Sequence, residues 1–108
     1  MFSAREFELM KPSSFLVNVG RGGTVDESAL DAALRAGRLR GAAIDVFEVE
    51  PLPGDSPLWA NERVFVTAHN AGASCRYNER ALDLFVDNLR RFVSGEELRN
   101  IVDKELGY

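Results

Sequence analysis

Gly41-Ala42-Ala43-Ile44-Asp45-Val46-Phe47 is an apolar run with a single charge near its end. It is short, apolar on both faces and flanked by loops, which is the composition of a central strand in a parallel sheet. The residues upstream support that reading. Asp26 to Ala36 has Leu30, Ala33 and Leu34 on one stripe, a good N-cap in Asp26, Glu27 at the positive end of the dipole, and Gly37 as a stop. Before it lies a second apolar run, Phe15-Leu16-Val17-Asn18-Val19-Gly20, which leads into Gly20-Arg21-Gly22-Gly23. A strand, a helix and a second strand make a right-handed parallel crossover. Downstream, Val64-Phe65-Val66-Thr67-Ala68 follows a loop of about 15 residues, just long enough for another crossover.

The flanks complete the outline. Ser3 and Glu6 have capping-box spacing, Phe2 and Phe7 have the spacing of a hydrophobic staple, and Pro12 ends this first helix. Ser56-Pro57-Leu58-Trp59 reads as a helical turn that places an aromatic on the core. A long helix over roughly 74–93 carries Leu82, Phe85, Val86, Leu89 and Phe92 or Val93, with Gly95 as its stop. The tail from 96 to 108 is mostly polar, with Leu98, Ile101 and Val102 able to pack. The expected fold is α/β: a partial Rossmann-like unit of three parallel strands (15–20, 41–47, 64–68) with flanking helices.

Composition narrows the function. The chain has 108 residues, is 45% hydrophobic and 28% charged, and has a formal net charge of −4 without a basic block. That profile argues against nucleic acid as a partner. No apolar stretch nears the roughly 18 residues of a membrane span, and the N-terminus lacks the order of a signal peptide. The single cysteine, Cys75, points to a reducing cytoplasm and excludes an internal disulfide. One cysteine and one histidine make poor material for a zinc site, so no metal is expected.

The three strands, if parallel, bring Arg21, Glu50 and His69 to one carboxyl edge, where open α/β sheets bind ligands. Each residue has two readings. Arg21 is either a surface arginine in a glycine loop or a fork that grips a carboxylate through two hydrogen bonds. His69 is either a satisfied histidine or a proton donor near neutrality, oriented by a carboxylate. Glu50 is either a loop carboxylate or that orienting group. Asp45 sits inside an apolar strand, where an unpaired charge costs several kcal/mol. It is therefore either bonded to a neighbouring loop or faces a ligand. Gly-Arg-Gly-Gly is not a phosphate fingerprint. Cys75 reads as inert, and Trp59 and Tyr77 as packing residues.

Taken together, these residues resemble the D-isomer-specific 2-hydroxyacid dehydrogenases over roughly residues 3–103. The resemblance rests on Met10-Lys11-Pro12-Ser13, on Phe15-Leu16-Val17-Asn18-Val19-Gly20-Arg21-Gly22-Gly23-Thr24-Val25-Asp26-Glu27, on Gly41 through Pro53, and on Val66-Thr67-Ala68-His69-Asn70-Ala71-Gly72. It implies that Arg21 holds the carboxylate of a small 2-hydroxy or 2-oxo acid. It also implies that Glu50 pairs with His69, and that His69 exchanges a proton with the substrate oxygen while nicotinamide exchanges hydride. Asp45 would meet the nicotinamide carboxamide, with Val19, Gly20, Arg21, His69 and Gly72 lining the NAD or NADP cofactor. Ala68 and Asn70 depart from the family pattern, which has proline before the histidine and an apolar residue or glycine after it. Both departures bear on how firmly His69 is held.

Members of the family also have a substrate domain and a first nucleotide-binding half with a glycine fingerprint. Neither occurs in this sequence. The resemblance therefore implies a single partial domain over 1–108: the C-terminal half of a dinucleotide-binding domain with a helix and tail, inactive alone. The alternative is a non-catalytic fold fragment acting as an oligomerisation or interaction module. The first strand has no partner on its outer edge and the long helix carries an apolar stripe, so a homo-oligomer is expected.

Overall fold

The computed structural model describes residues 1–107; Tyr108, the end of the tail, lies outside the described residues. The chain forms two compact units, one over Met1–Gly72 and a second beginning at Ala73. In the first unit, strands β1 (Phe15–Asn18), β2 (Gly41–Ile44) and β3 (Val64–Val66) form one parallel sheet in that order. The register sets Asn18 beside Ile44 and Ile44 beside Val66, so all three strands end level. The three following loops therefore leave from one edge.

All three strands are shorter than their apolar runs. Asp45 N–H still donates to the Asn18 carbonyl and Thr67 N–H to the Ile44 carbonyl. Beyond them the ladder stops, because the next polar groups find side-chain partners. Phe47 N–H, for example, donates to the Glu50 carboxylate at 3.0 Å. Val46 and Phe47 stay buried, but in a loop.

Helices α1 (Ala4–Leu9) and α2 (Glu27–Arg35) form where the caps predict. The Glu6 carboxylate accepts from the Ser3 amide at 2.9 Å and from the Ser3 hydroxyl at 2.6 Å. Phe2 meets Phe7 with ring centroids 6.3 Å apart. Asp26 accepts from Ala29 N–H at 2.8 Å, and Gly37 takes a φ of 68° beyond the end of α2, which a side chain would resist. Leu30 and Leu34 of α2 join Phe7, Leu16, Ile44 and Leu58 in the core. Sheet burial is one-sided along β1: Leu16 and Asn18 are buried while Phe15 and Val17 are exposed, and Phe65 of β3 is exposed as well.

Trp59 corrects the sequence reading. Its turn exists, as a 3-10 helix over Pro57–Ala60 capped by the Ser56 side chain, but the residue it buries is Leu58. Trp59 is 55% exposed. With three residues per turn, adjacent side chains diverge by about 120°, so only one of Leu58 and Trp59 can face the core.

A close contact holds the loop after β1 against the segment after β2. A Cβ built on Gly22 would lie 1.8 Å from the Phe47 carbonyl oxygen. Backbone cannot yield as a flexible side chain does. Gly22→Ala is therefore expected to destabilise the chain by about 3 kcal/mol. Urea unfolding monitored by circular dichroism checks this, and an unchanged midpoint would show that the two loops are not locked.

The second unit contains α3 (Tyr77–Ser94), which ends at Gly95 in the left-handed region with φ 70°. It starts at Tyr77 rather than near 74, with Arg76 forked onto Glu79 at 3.0 and 3.1 Å. Asn88 brackets the Arg99 backbone, accepting from its N–H at 2.8 Å and donating to its carbonyl at 3.1 Å. Leu82, Phe85, Leu89, Phe92 and Val93 are all exposed. Among the described residues no helix is long and apolar enough to cross a membrane, and no cluster of metal-binding side chains occurs.

Candidate active site

The loop after β3 turns sharply at His69, whose φ of 50° is rare for a residue with a side chain. Such a conformation persists only where the surroundings over-determine it. Here two carboxylates do so. His69 Nδ1 lies 2.8 Å from Glu50 Oε2. An ionised carboxylate only accepts, so Nδ1 carries the proton and donates, which leaves Nε2 as the nitrogen free for other chemistry. The other Glu50 oxygen is held by Phe47 N–H, so the carboxylate is fixed at both ends.

The second carboxylate is Asp45, only 2% exposed. Oδ1 accepts from the Thr67 hydroxyl and, at 3.0 Å, from Asn70 N–H; Oδ2 accepts from Ala71 N–H at 2.8 Å. Asp45 thus clamps the chain on both sides of His69. These bonds to the following loop compensate the buried charge. The Thr67 bond and the two amides hold its carboxyl below the ordinary range against the opposing effect of burial. The same contacts account for the two departures around the histidine. Residue 70 contributes its backbone N–H, which any side chain allows, and the ring is held by Glu50 whatever precedes it.

Glu50 is also held below its ordinary value near 4.5, first by the His69 bond, then by Phe47 N–H, with a weaker pull from Arg21. A carboxylate depressed in the folded state stabilises above its unfolded pKa, and that stability is lost as pH falls through the folded value. The wild-type chain should therefore exceed Glu50→Gln in thermal midpoint at neutral pH, and the gap should close progressively below about pH 4.5. A gap that stayed constant to pH 3 would show that the bond to His69 contributes nothing to stability.

Arg21 reaches the same edge from β1 but touches neither partner. Its Nη1 donates to the Gly20 carbonyl at 2.8 Å, and its side chain is exposed. The loop beneath it is firmly built. Buried Asn18 donates to the Arg21 carbonyl at 3.2 Å and accepts from Gly20 N–H at 3.2 Å, while Thr24 Oγ1 donates to the Arg21 carbonyl at 2.6 Å. The guanidinium therefore projects from a fixed base with most of its donors unspent. Glu27 and Glu48 further tie the start of α2 to the second loop: the Glu48 amide donates to Glu27 Oε1 at 2.6 Å, and the Glu27 amide to Glu48 Oε1 at 3.3 Å.

Val19, Gly20 and Gly72 lie exposed along this edge, and Asp45 lies beneath it. Sequence reasoning missed Asn18 and Thr67 as supports. Each is a polar residue at the end of an apolar run, a signal that was present but had no assigned partner.

The chain has counterparts among known proteins. Residues 1–71 match the D-isomer specific 2-hydroxyacid dehydrogenase NAD binding domain. The chain belongs to that family. Among its relatives, (S)-sulfolactate dehydrogenase of Chromohalobacter salexigens is 52% identical over 82 residues, covering 76% of this chain and 26% of the relative. Glyoxylate/hydroxypyruvate reductase B of Citrobacter koseri is 43% identical over 108 residues, covering 98% of this chain and 33% of the relative. A D-isomer specific 2-hydroxyacid dehydrogenase from Xanthobacter autotrophicus, solved with NADPH and MES, superposes with a TM-score of 0.87 at 45% identity, over 97% of this chain and 43% of that one. The chain spans about a third of the length of the curated relatives it matches. The Rossmann-like parallel fold expected from the sequence is the fold these dehydrogenases have.

Proposed function

We propose that this chain supplies the acid–base pair and the carboxylate clamp of a NAD(P)-dependent oxidoreductase that interconverts a D-2-hydroxy acid and its 2-oxo acid. The observation that carries the proposal is the Glu50–His69 bond of 2.8 Å at the sheet edge that also bears Arg21. In this reading 1–108 is one partial domain, the C-terminal half of a dinucleotide-binding domain with its following helix and tail.

The residues suit a dinucleotide. A carboxylate offers about four acceptor positions, and the three donors on Asp45 leave one on Oδ2 for an amide such as the nicotinamide carboxamide. Val19, Gly20, Arg21, His69 and Gly72 would line the rest. When bound, the dinucleotide supplies or accepts the hydride at substrate C2. Arg21 holds the C1 carboxylate by its fork and so presents C2 in one orientation. As the 2-oxo acid is reduced, negative charge grows on the C2 oxygen and His69 Nε2 gives it a proton. In oxidation Nε2 takes that proton back. Glu50 keeps the ring in one tautomer and stabilises the imidazolium.

A chimera tests this. The corresponding third of the Citrobacter reductase is replaced by this chain, and NADH and NADPH oxidation is followed with glyoxylate, hydroxypyruvate and pyruvate. Turnover that depends on Arg21, Glu50 and His69 supports the proposal. A folded, dinucleotide-binding chimera without turnover contradicts it and favours a non-catalytic module.

Self-association is part of the same reading. Phe15, Val17 and Phe65 are exposed on the sheet, β1 is an edge strand, and α3 exposes its stripe. Apolar surface exposed in this way is normally covered, most simply by a second copy. Sedimentation equilibrium at low micromolar concentration should show a dimer or larger species; a single folded species at monomer mass would refute this.

A further inference from the structure

Trp59, the only tryptophan in the sequence, is neither in the core nor free. Its indole Nε1 donates to the Pro53 carbonyl at 2.8 Å, which tethers the polar end of an otherwise exposed ring. The apolar face is thereby held in place. That face lines an open pocket of about 420 Å³ with Leu52, Val66 and Ala68, and Glu50 and His69 line the same pocket. Apolar walls with a few polar groups at one point are the usual form of a small-molecule site.

The proposed chemistry leaves these walls without a use. Arg21 serves the substrate carboxylate and His69 the C2 oxygen, and neither needs a hydrocarbon surface. An apolar wall next to His69 gains only when apolar substrate carbon displaces water from it. Glyoxylate has only hydrogen at that position, and hydroxypyruvate a hydroxymethyl group. We propose that Trp59 is a specificity-determining residue whose pocket takes the C2 substituent of the substrate, an unbranched hydrocarbon chain of several carbons. This rests on the acid–base reading of His69.

The test is calorimetric titration of the 108-residue chain with pyruvate, 2-oxobutanoate and 2-oxohexanoate. Each methylene buried on Trp59 should raise affinity roughly fourfold, so 2-oxohexanoate should bind more than tenfold tighter than pyruvate. Trp59 emission should shift to the blue on adding 2-oxohexanoate. Trp59→Ala should abolish the dependence on chain length, and Trp59→Phe should retain part of it. Equal affinities across the series, a dependence that survives Trp59→Ala, or no binding by any of the three acids would overturn the proposal. Arg21→Ala separates the two readings, because it should weaken all three acids alike. If it weakens none while Trp59→Ala still removes the chain-length dependence, the pocket stands and the carboxylate clamp fails.

Discussion

His69→Asn, in a protein of the relatives' length carrying these residues, should lower kcat by about 10²–10⁴-fold, the usual worth of a positioned general acid. Asparagine keeps a polar side chain of similar reach, so the loop has least reason to move. It lacks a ring nitrogen that can carry and give up a proton. Glu50 and Asp45 hold the backbone and the ring in the unsubstituted protein. Asp45 continues to do so in the variant, since its donors are Thr67 and the amides of residues 70 and 71. Dinucleotide affinity should therefore change little, and the loss should fall on kcat rather than on cofactor binding. Stopped-flow reduction with a fluorescence titration of the dinucleotide separates the two quantities. Equal, small losses in both would remove His69 from the chemistry.

Arg21→Ala should lower kcat/KM for the 2-oxo acid by roughly 10²–10³-fold, because truncating one partner of a hydrogen-bonded charge pair costs about 2–5 kcal/mol. Part of that loss should appear in kcat, since a carboxylate without its fork no longer fixes C2 relative to His69. Arg21→Lys should recover little, because an ammonium offers a point charge where the substrate presents two oxygens. The loop should survive either change. Asn18 and Thr24 bind the backbone of residue 21, not its guanidinium. Steady-state kinetics across substrate concentration reads both parameters. Full recovery by lysine would mean that Arg21 acts only as a distant charge.

Much of the fold was legible because its signals are local. The Ser3–Glu6 box, the Asp26 cap and the Gly37 and Gly95 stops each involve residues within one turn, and each forms where its spacing says. Strand direction followed from the alternation of strand and helix; the order β1-β2-β3 is read from the structure. Strand ends did not, because the apolar runs continue past the ladder. Val46 and Phe47 are buried by packing, not by pairing, and hydropathy cannot distinguish the two.

The sequence by itself determined that Arg21, Glu50 and His69 follow three parallel strands and so share one edge. Connectivity alone decides that, since parallel strands in one sheet all end on the same side. Tertiary structure decided how those residues are held. The bonds that fix His69 and Asp45 join residues 19 to 26 positions apart in sequence. They exist because the register sets the ends of β2 and β3 level. A one-residue slip would have sent each side chain to the opposite face. The same holds for Trp59. Its turn was readable, but which of two adjacent apolar residues faces the core depends on where the rest of the core lies. Leu58 took the inside, and Trp59 was left beside the histidine.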